Sequence, residues 1–195
     1  MEAKEEFIKI FKDNIKREGA DSLLEFLNSS DFFTAPASSK FHSNYSGGLV
    51  KHSLNVYNRF KGLIQKEFGE KYFERVSEES VAVMALLHDI CKVNTYKEDF
   101  RNVKIDGEWV KVPCFTIDDS LPYGHGEKSV YMISGFMKLS REESMAINWH
   151  MGAFDSRAIN ATYLLSGAYY KYPVALLLHI ADIQATYLDE IINNK

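Results

Sequence analysis

Apolar residues at Phe7, Ile8, Phe11 and Ile15 recur at the three-to-four spacing of one helix face, and Ser22 to Leu27 carries a second, shorter helical piece. Between residues 29 and 48 the pattern lapses into small, turn-forming residues, ending in Gly47-Gly48. That stretch predicts a loop which launches a helix at Leu49. Leu49, His52, Val56 and Phe60 share one face of this helix, so His52 is expected to point inward from its first turn. Ser77, followed by Glu78 and Glu79, supplies an N-cap and a dipole-matched first turn for the apolar run Val81 to Leu87. A run without alternation suits a buried strand as well as a buried helix; the cap and the Ala and Leu content favour the helix, with His88 and Asp89 at its end.

From Thr95 to Ile117 apolar residues alternate on either side of Asp106-Gly107, the strongest short signal for a hairpin. A loop from Asp118 to Gly126 follows, around Pro122 and His125, and helical patterning resumes at Glu127. Ser140 and Glu143 form a capping box that opens a helix expected to carry His150. Pro173 suits the first turn of a last helix, from Val174 to about Ile192, bearing His179 and Asp182. No repeat, low-complexity tract or linker interrupts the series. The expectation is a mainly α protein with one helical domain over residues 1–195, an N-terminal helical extension over about 1–44, and one inserted β-hairpin at about 95–117.

A chain of 195 residues is long enough for one well-buried core and marginal for two. The net charge of -4 gives no general pull on polyanions, which disfavours long nucleic acid as a partner. Cys91 and Cys114 fall in no paired spacing and are expected to be reduced thiols of a cytoplasmic protein. Neither a secretory leader nor a run of about 18 apolar residues is present, so neither export nor a membrane span is expected. Self-association stays open.

Five of the six histidines belong to one ordered series: His52, His88 beside Asp89, His125, His150, and His179 three residues before Asp182. Neighbours on a helix point about 100° apart, so His88 and Asp89 can both reach a cation off that edge but need further ligands. His52 and Asp182 supply an imidazole and a carboxylate. The resulting nitrogen and oxygen set suits one or two ions of Mn, Fe, Co, Ni, Zn or Mg rather than a soft thiolate site. His179 shares a helix face with Asp182, either orienting a ligand from behind or packing in the core. Glu127, Asp155 and Arg157 follow His125 and His150 closely and are candidates for substrate contact, against the plainer reading of surface residues. Tyr169, Tyr170 and Tyr172 suit packing better than base stacking. His42 stands outside every motif and reads as a loop residue.

Five segments carry a resemblance: Gly47-Gly48-Leu49-Val50-Lys51-His52-Ser53, Leu86-Leu87-His88-Asp89-Ile90-Cys91-Lys92, Gly124-His125, Trp149-His150-Met151-Gly152 and Ala181-Asp182. In this order, over about residues 45 to 190, the chain resembles an HD-domain metal-dependent phosphohydrolase. It is most similar to small stand-alone phosphohydrolases and to the HD domain of certain bacterial 3′-to-5′ exoribonucleases. The resemblance implies that His52, His88, Asp89 and Asp182 hold a first metal. It puts His125 and His150 at a second metal bridged by Asp89, or at the phosphate if one ion binds. Lys92 then faces the bound phosphate, and Asp89 and Lys92 carry the catalysis.

Cys91 replaces the family's usual glycine; a thiol there invites a ligand or redox role, and a small buried residue a packing role. The activity implied is hydrolysis of a small-molecule phosphate ester by metal-activated water, with a nucleoside monophosphate or deoxynucleotide leading. A 3′-to-5′ exonuclease or cyclic-nucleotide phosphodiesterase is the alternative, and a non-catalytic nucleotide or metal sensor the second. The hairpin, directly after the His-Asp segment, is expected to cover or shape the pocket.

Overall fold

A computed structural model of the protein describes residues 2–69 and 75–191. Two amphipathic helices, α1 (Glu2–Asn14) and α2 (Ala20–Ser29), lead through a loop to the long α3 (Gly48–Phe68). Next come α4 (Glu78–Leu87), a 3₁₀ turn at Ile90–Lys92, and the strands β1 (Tyr96–Ile105) and β2 (Glu108–Ile117). The remainder is helical: α5 (His125–Ser134), α6 (Arg141–Asn148), α7 (Ser156–Asn160), α8 (Thr162–Lys171) and α9 (Pro173–Gln184), closed by a π-helical segment at Ala185–Glu190.

The run Val81 to Leu87 is the buried helix the cap implied. Ser77 Oγ accepts from the amide of Ser80 at 3.0 Å, and every residue from Val81 to Leu87 is buried. A helix that is apolar all round must be enclosed on all sides, and α4 packs against α1, α3 and α6, while α9 packs across α3 and α6. Each large aliphatic side chain sealed in this core contributes about 1.5–3 kcal/mol from burial. The consequence for the site is rigidity: His88 leaves the end of the most enclosed element in the molecule.

The hairpin forms as the Asp-Gly signal implied. Asp106 at φ 51° and Gly107 at φ 93° both adopt left-handed conformations, which a two-residue turn of this hand requires. The register runs antiparallel from Tyr96↔Ile117 to Ile105↔Glu108. The hairpin projects from the helical body, with Phe100, Trp109 and Ile117 exposed.

Three differences from the expected elements bear on the site. Helix α6 ends at Asn148, so His150 lies in the turn beyond it rather than on the helix. Helices α7 and α8 were not expected: α7 has only five residues, and α8 lacks a side-chain cap and holds Gly167 in its middle. The last α-helix closes at Gln184 and widens into the π segment; its expected end at Ile192 lies outside the described residues.

Candidate metal centre

His52, His88, Asp89, Asp182, His125 and His150, drawn from five separate stretches, come together at the end of α4. His52 Nε2 lies 3.1 Å from Asp182 Oδ1, 3.3 Å from His88 Nε2 and 3.5 Å from Asp89 Oδ2. Asp89 stands in the middle: its Oδ2 is also 3.5 Å from His88 Nε2, and its Oδ1 is 2.7 Å from His125 Nε2 and 3.5 Å from His150 Nε2. Ligand-capable atoms of His52, His88 and Asp89 lie within 4.8 Å of one another. So do those of His88, His150 and Asp182, and those of Asp89, His125 and His150.

The outward-facing nitrogens decide what this cluster can bind. His88 Nδ1 donates to the carbonyl of Ala85 at 2.8 Å, and His150 Nδ1 donates to that of Ile147 at 2.6 Å. His52 Nδ1 donates to the carboxylate of Glu190 at 2.8 Å. With its proton fixed on Nδ1, each neutral ring turns a bare Nε2 lone pair inward. The inner face is therefore built of acceptors aimed at one another, an arrangement stable only if a proton or a cation sits between them.

The electrostatics tell the same story. Burial opposes charge on His52, but the hydrogen bonds to Asp182 and Glu190 prevail and raise its pKa to about 10. Burial instead dominates at His88 and drives its pKa down to about 3. Burial also resists ionisation of Asp89, yet Lys92 and His88 outweigh it and hold the carboxyl well below its usual range. His150 Nε2 is shielded from solvent and has no hydrogen-bond partner. A buried polar atom left unpaired costs about 1–3 kcal/mol, and a divalent cation among these nitrogen and carboxylate donors would satisfy it. The residues present can hold such an ion.

Above the cluster opens a cavity of about 480 Å³, with Asp89, Lys92, His125 and Asp182 at its floor and Phe41, Tyr96, Phe154 and Tyr187 among its walls. Lys92 Nζ donates to Asp89 Oδ2 at 2.5 Å. Tyr96, at the base of β1, is the hairpin's contribution to the lining. The expected cover is thus confined to one residue, because the strands run outward from there.

Other candidates take different places. Glu127, Asp155 and Arg157 do not line the cavity; they bind one another. Arg157 pairs with Asp155 at 2.5 Å and with Glu127 at 2.7 Å, and its guanidinium lies 4.5 Å from the Trp149 ring centre. Asp155 also accepts from the amide of Arg157, capping α7. Arg157 bonds Asn148 as well, which fastens the turn holding His150. His179 lines the cavity and steadies the site, though not through Asp182: its Nδ1 donates to the carbonyl of His150 at 2.6 Å. Gly152, at φ 56°, permits this, since a Cβ there would fall 2.3 Å from His179 Cε1. Cys91 is buried, with Sγ 3.5 Å from His125 Nδ1. Tyr169 packs beside the His179 ring, with centroids 6.2 Å apart.

Two neighbours of the cluster were not singled out by the sequence reading. Glu190 sits eight residues past Asp182, which ideal α geometry would leave about 80° round the helix; the wider π-helical segment turns it back towards His52. Such insertions concentrate at functional sites. His42, read as a loop residue, lines the cavity with its ring centre 4.9 Å from that of His52.

The family model of the HD domain matches residues 49–186 of this chain. Among curated proteins and solved structures nothing matches.

Proposed function

The chain belongs to the HD-domain family, and from that membership we propose that it is a metal-dependent phosphohydrolase acting on a small phosphate ester, a nucleotide in particular. One observation carries the reading: the mutually facing acceptors of buried His52, His88, Asp89 and His150 and of half-buried Asp182, with His150 Nε2 left without a hydrogen-bond partner. The proposed ligands are His52, His88, Asp89 and Asp182 for one ion, with His125 and His150 for a second that shares Asp89. A divalent cation held there would lower the pKa of water towards neutrality and offset charge on the ester.

The protein's own groups do the rest. Lys92, only 12% exposed at the cavity floor, can turn its ammonium from Asp89 to a phosphate oxygen and so neutralise charge that grows during attack. Asp89 holds His125 and Lys92 in register by accepting from both. Phe41, Tyr96, Phe154 and Tyr187 give the cavity an aromatic wall against which a flat base can lie. A volume of about 480 Å³ is within the range of small-ligand pockets.

Screening decides the matter. Mono-, di-, tri- and cyclic nucleotides and short oligonucleotides would be offered with Mn, Co, Ni and Mg in turn. Phosphate release from a nucleoside monophosphate, abolished by chelation, is the expected result. Turnover of oligonucleotides alone would shift the reading to an exonuclease, and bound metal without any turnover would make the protein a sensor.

A further inference from the structure

We propose that His42 is a substrate-contacting residue of this site, supplied by the loop between α2 and α3 and hydrogen-bonding an oxygen of the bound phosphate. The inference rests on the phosphate-ester reading, but it concerns a residue that the matched segment, beginning at 49, does not contain.

The loop is built to hold His42 in place. Ser38 Oγ donates to the His42 carbonyl at 2.7 Å and accepts from the amide of Phe41 at 2.9 Å. The amide of Ala37 donates to the carbonyl of Ser43 at 3.1 Å, and the amide of Leu49 to that of Ala35 at 3.0 Å. Gly48 makes the seat possible, because a Cβ there would fall on the Ser43 carbonyl oxygen. The next side chain ties the loop to the metal cluster: buried Ser43 Oγ donates to Glu190 Oε2 at 2.7 Å, on the same carboxylate that orients His52. These fastenings span both ends of a turn whose centre is His42.

What the ring does there follows from its unmet valence. His42 Nε2 is shielded from solvent and has no hydrogen-bond partner. Of the four such side-chain atoms among the described residues, two are histidine nitrogens at this one site, His42 Nε2 and His150 Nε2. Leaving an imidazole nitrogen so costs stability, which is recovered if the ring, which lines the cavity, turns its Nε2–H to an oxygen bound there.

A cation is the weaker candidate for that partner. The group that includes His42 is completed by His52 and Glu190, and those two already share the 2.8 Å bond that turns His52 Nε2 inward. An ion between them would have to break it. An anionic oxygen reaching the cavity floor, where Lys92 and the metal cluster draw it, breaks nothing.

Binding of inorganic phosphate to the manganese-loaded protein, by calorimetry, tests this apart from turnover. His42→Ala should raise the Kd about tenfold, the loss expected for one hydrogen bond to a charged group, with manganese content unchanged. His42→Gln, which keeps a polar atom near the Nε2 position, should recover part of the affinity, and it also serves if His42→Ala is unstable. Unchanged phosphate affinity in both variants overturns the inference, as does loss of manganese. If the protein binds phosphate through His42 yet cleaves no ester, the hydrolase reading fails and this one stands.

Discussion

Glu190 accepts a hydrogen bond from His52 Nδ1 across 2.8 Å, from 138 residues further along the chain. The bond fixes which nitrogen of His52 is bare, and its carboxylate makes that nitrogen a stronger donor to a cation. Glu190→Ala should therefore weaken metal binding about 10- to 100-fold without removing an inner ligand. Glu190→Gln, which still accepts, should cost less. Metal titration of the two variants checks this, and equal affinity in both would show that the carboxylate does not act through His52.

The polar cluster was legible because its residue types are rare in an apolar run and recur at helix-length intervals, so His52, His88, Asp89, His125, His150 and Asp182 stand out as a set. Glu190 and His42 were not, for different physical reasons. Glu190 reaches the site only through a local underwinding of the last helix, which a 3.6-residue period cannot express. His42 lies in a loop whose shape is set by Ser38, Ser43 and Gly48 rather than by periodicity. Glu127, Asp155 and Arg157 were drawn towards the site by closeness in sequence, yet both carboxylates turn to the one guanidinium of Arg157. Fold legibility followed the same line: α4 and the hairpin had a cap and a turn to mark them, whereas α7 has a cap but only five residues and α8 has ten residues but no side-chain cap.

Asp89 touches both halves of the cluster, so Asp89→Ala should lose metal and turnover together while far-ultraviolet circular dichroism stays helical, because α4 is held by its apolar packing. Retained metal in that variant would sink the proposed ligand set. In the parent protein, an ion at a hundred times its Kd should add about 2.7 kcal/mol to stability. Melting curves with and without chelator read this directly.

Lys92 lines the cavity and donates to Asp89 rather than receiving from it, so it can leave the cluster intact when removed. Lys92→Ala should lower turnover about 10- to 100-fold, the worth of one charge-assisted hydrogen bond. Metal content should be unchanged. Loss of the ion in Lys92→Ala would assign the side chain a structural role instead.

Gly152→Ala places a Cβ against the His179 ring at a backbone conformation that L residues rarely adopt. The bond from His179 to the His150 carbonyl should break, at a cost of about 2 kcal/mol or more. His179→Ala removes the obstructing ring, so the double variant should lose less than the sum of the two single changes. Additive losses measured by denaturant unfolding would show that the two residues are not coupled.

Far from the cluster, Arg17, in the turn between α1 and α2, ties α4 to α6: its guanidinium donates to both oxygens of Glu143 at 2.8 Å, while Glu79 lies 3.3 Å away. Glu143 is 1% exposed and also accepts from the amide of Ser140 and the hydroxyl of Ser80. Burial resists its ionisation, but Arg17 and the other donors prevail and hold its pKa below the ordinary 4.5. The sign follows: a depressed carboxyl pKa contributes stability that is fully present above the unfolded value and lost as pH falls through the folded one. Melting temperature should thus drop on acidification below about 4.5, and Glu143→Gln should flatten part of that dependence. At neutral pH the same substitution removes the carboxylate that Arg17 pairs with most closely and should cost about 3 kcal/mol, or about 6–12 °C in a chain of this size. Melting scans across the acid range on both proteins would decide it, since parallel curves would mean that Glu143 carries no such linkage.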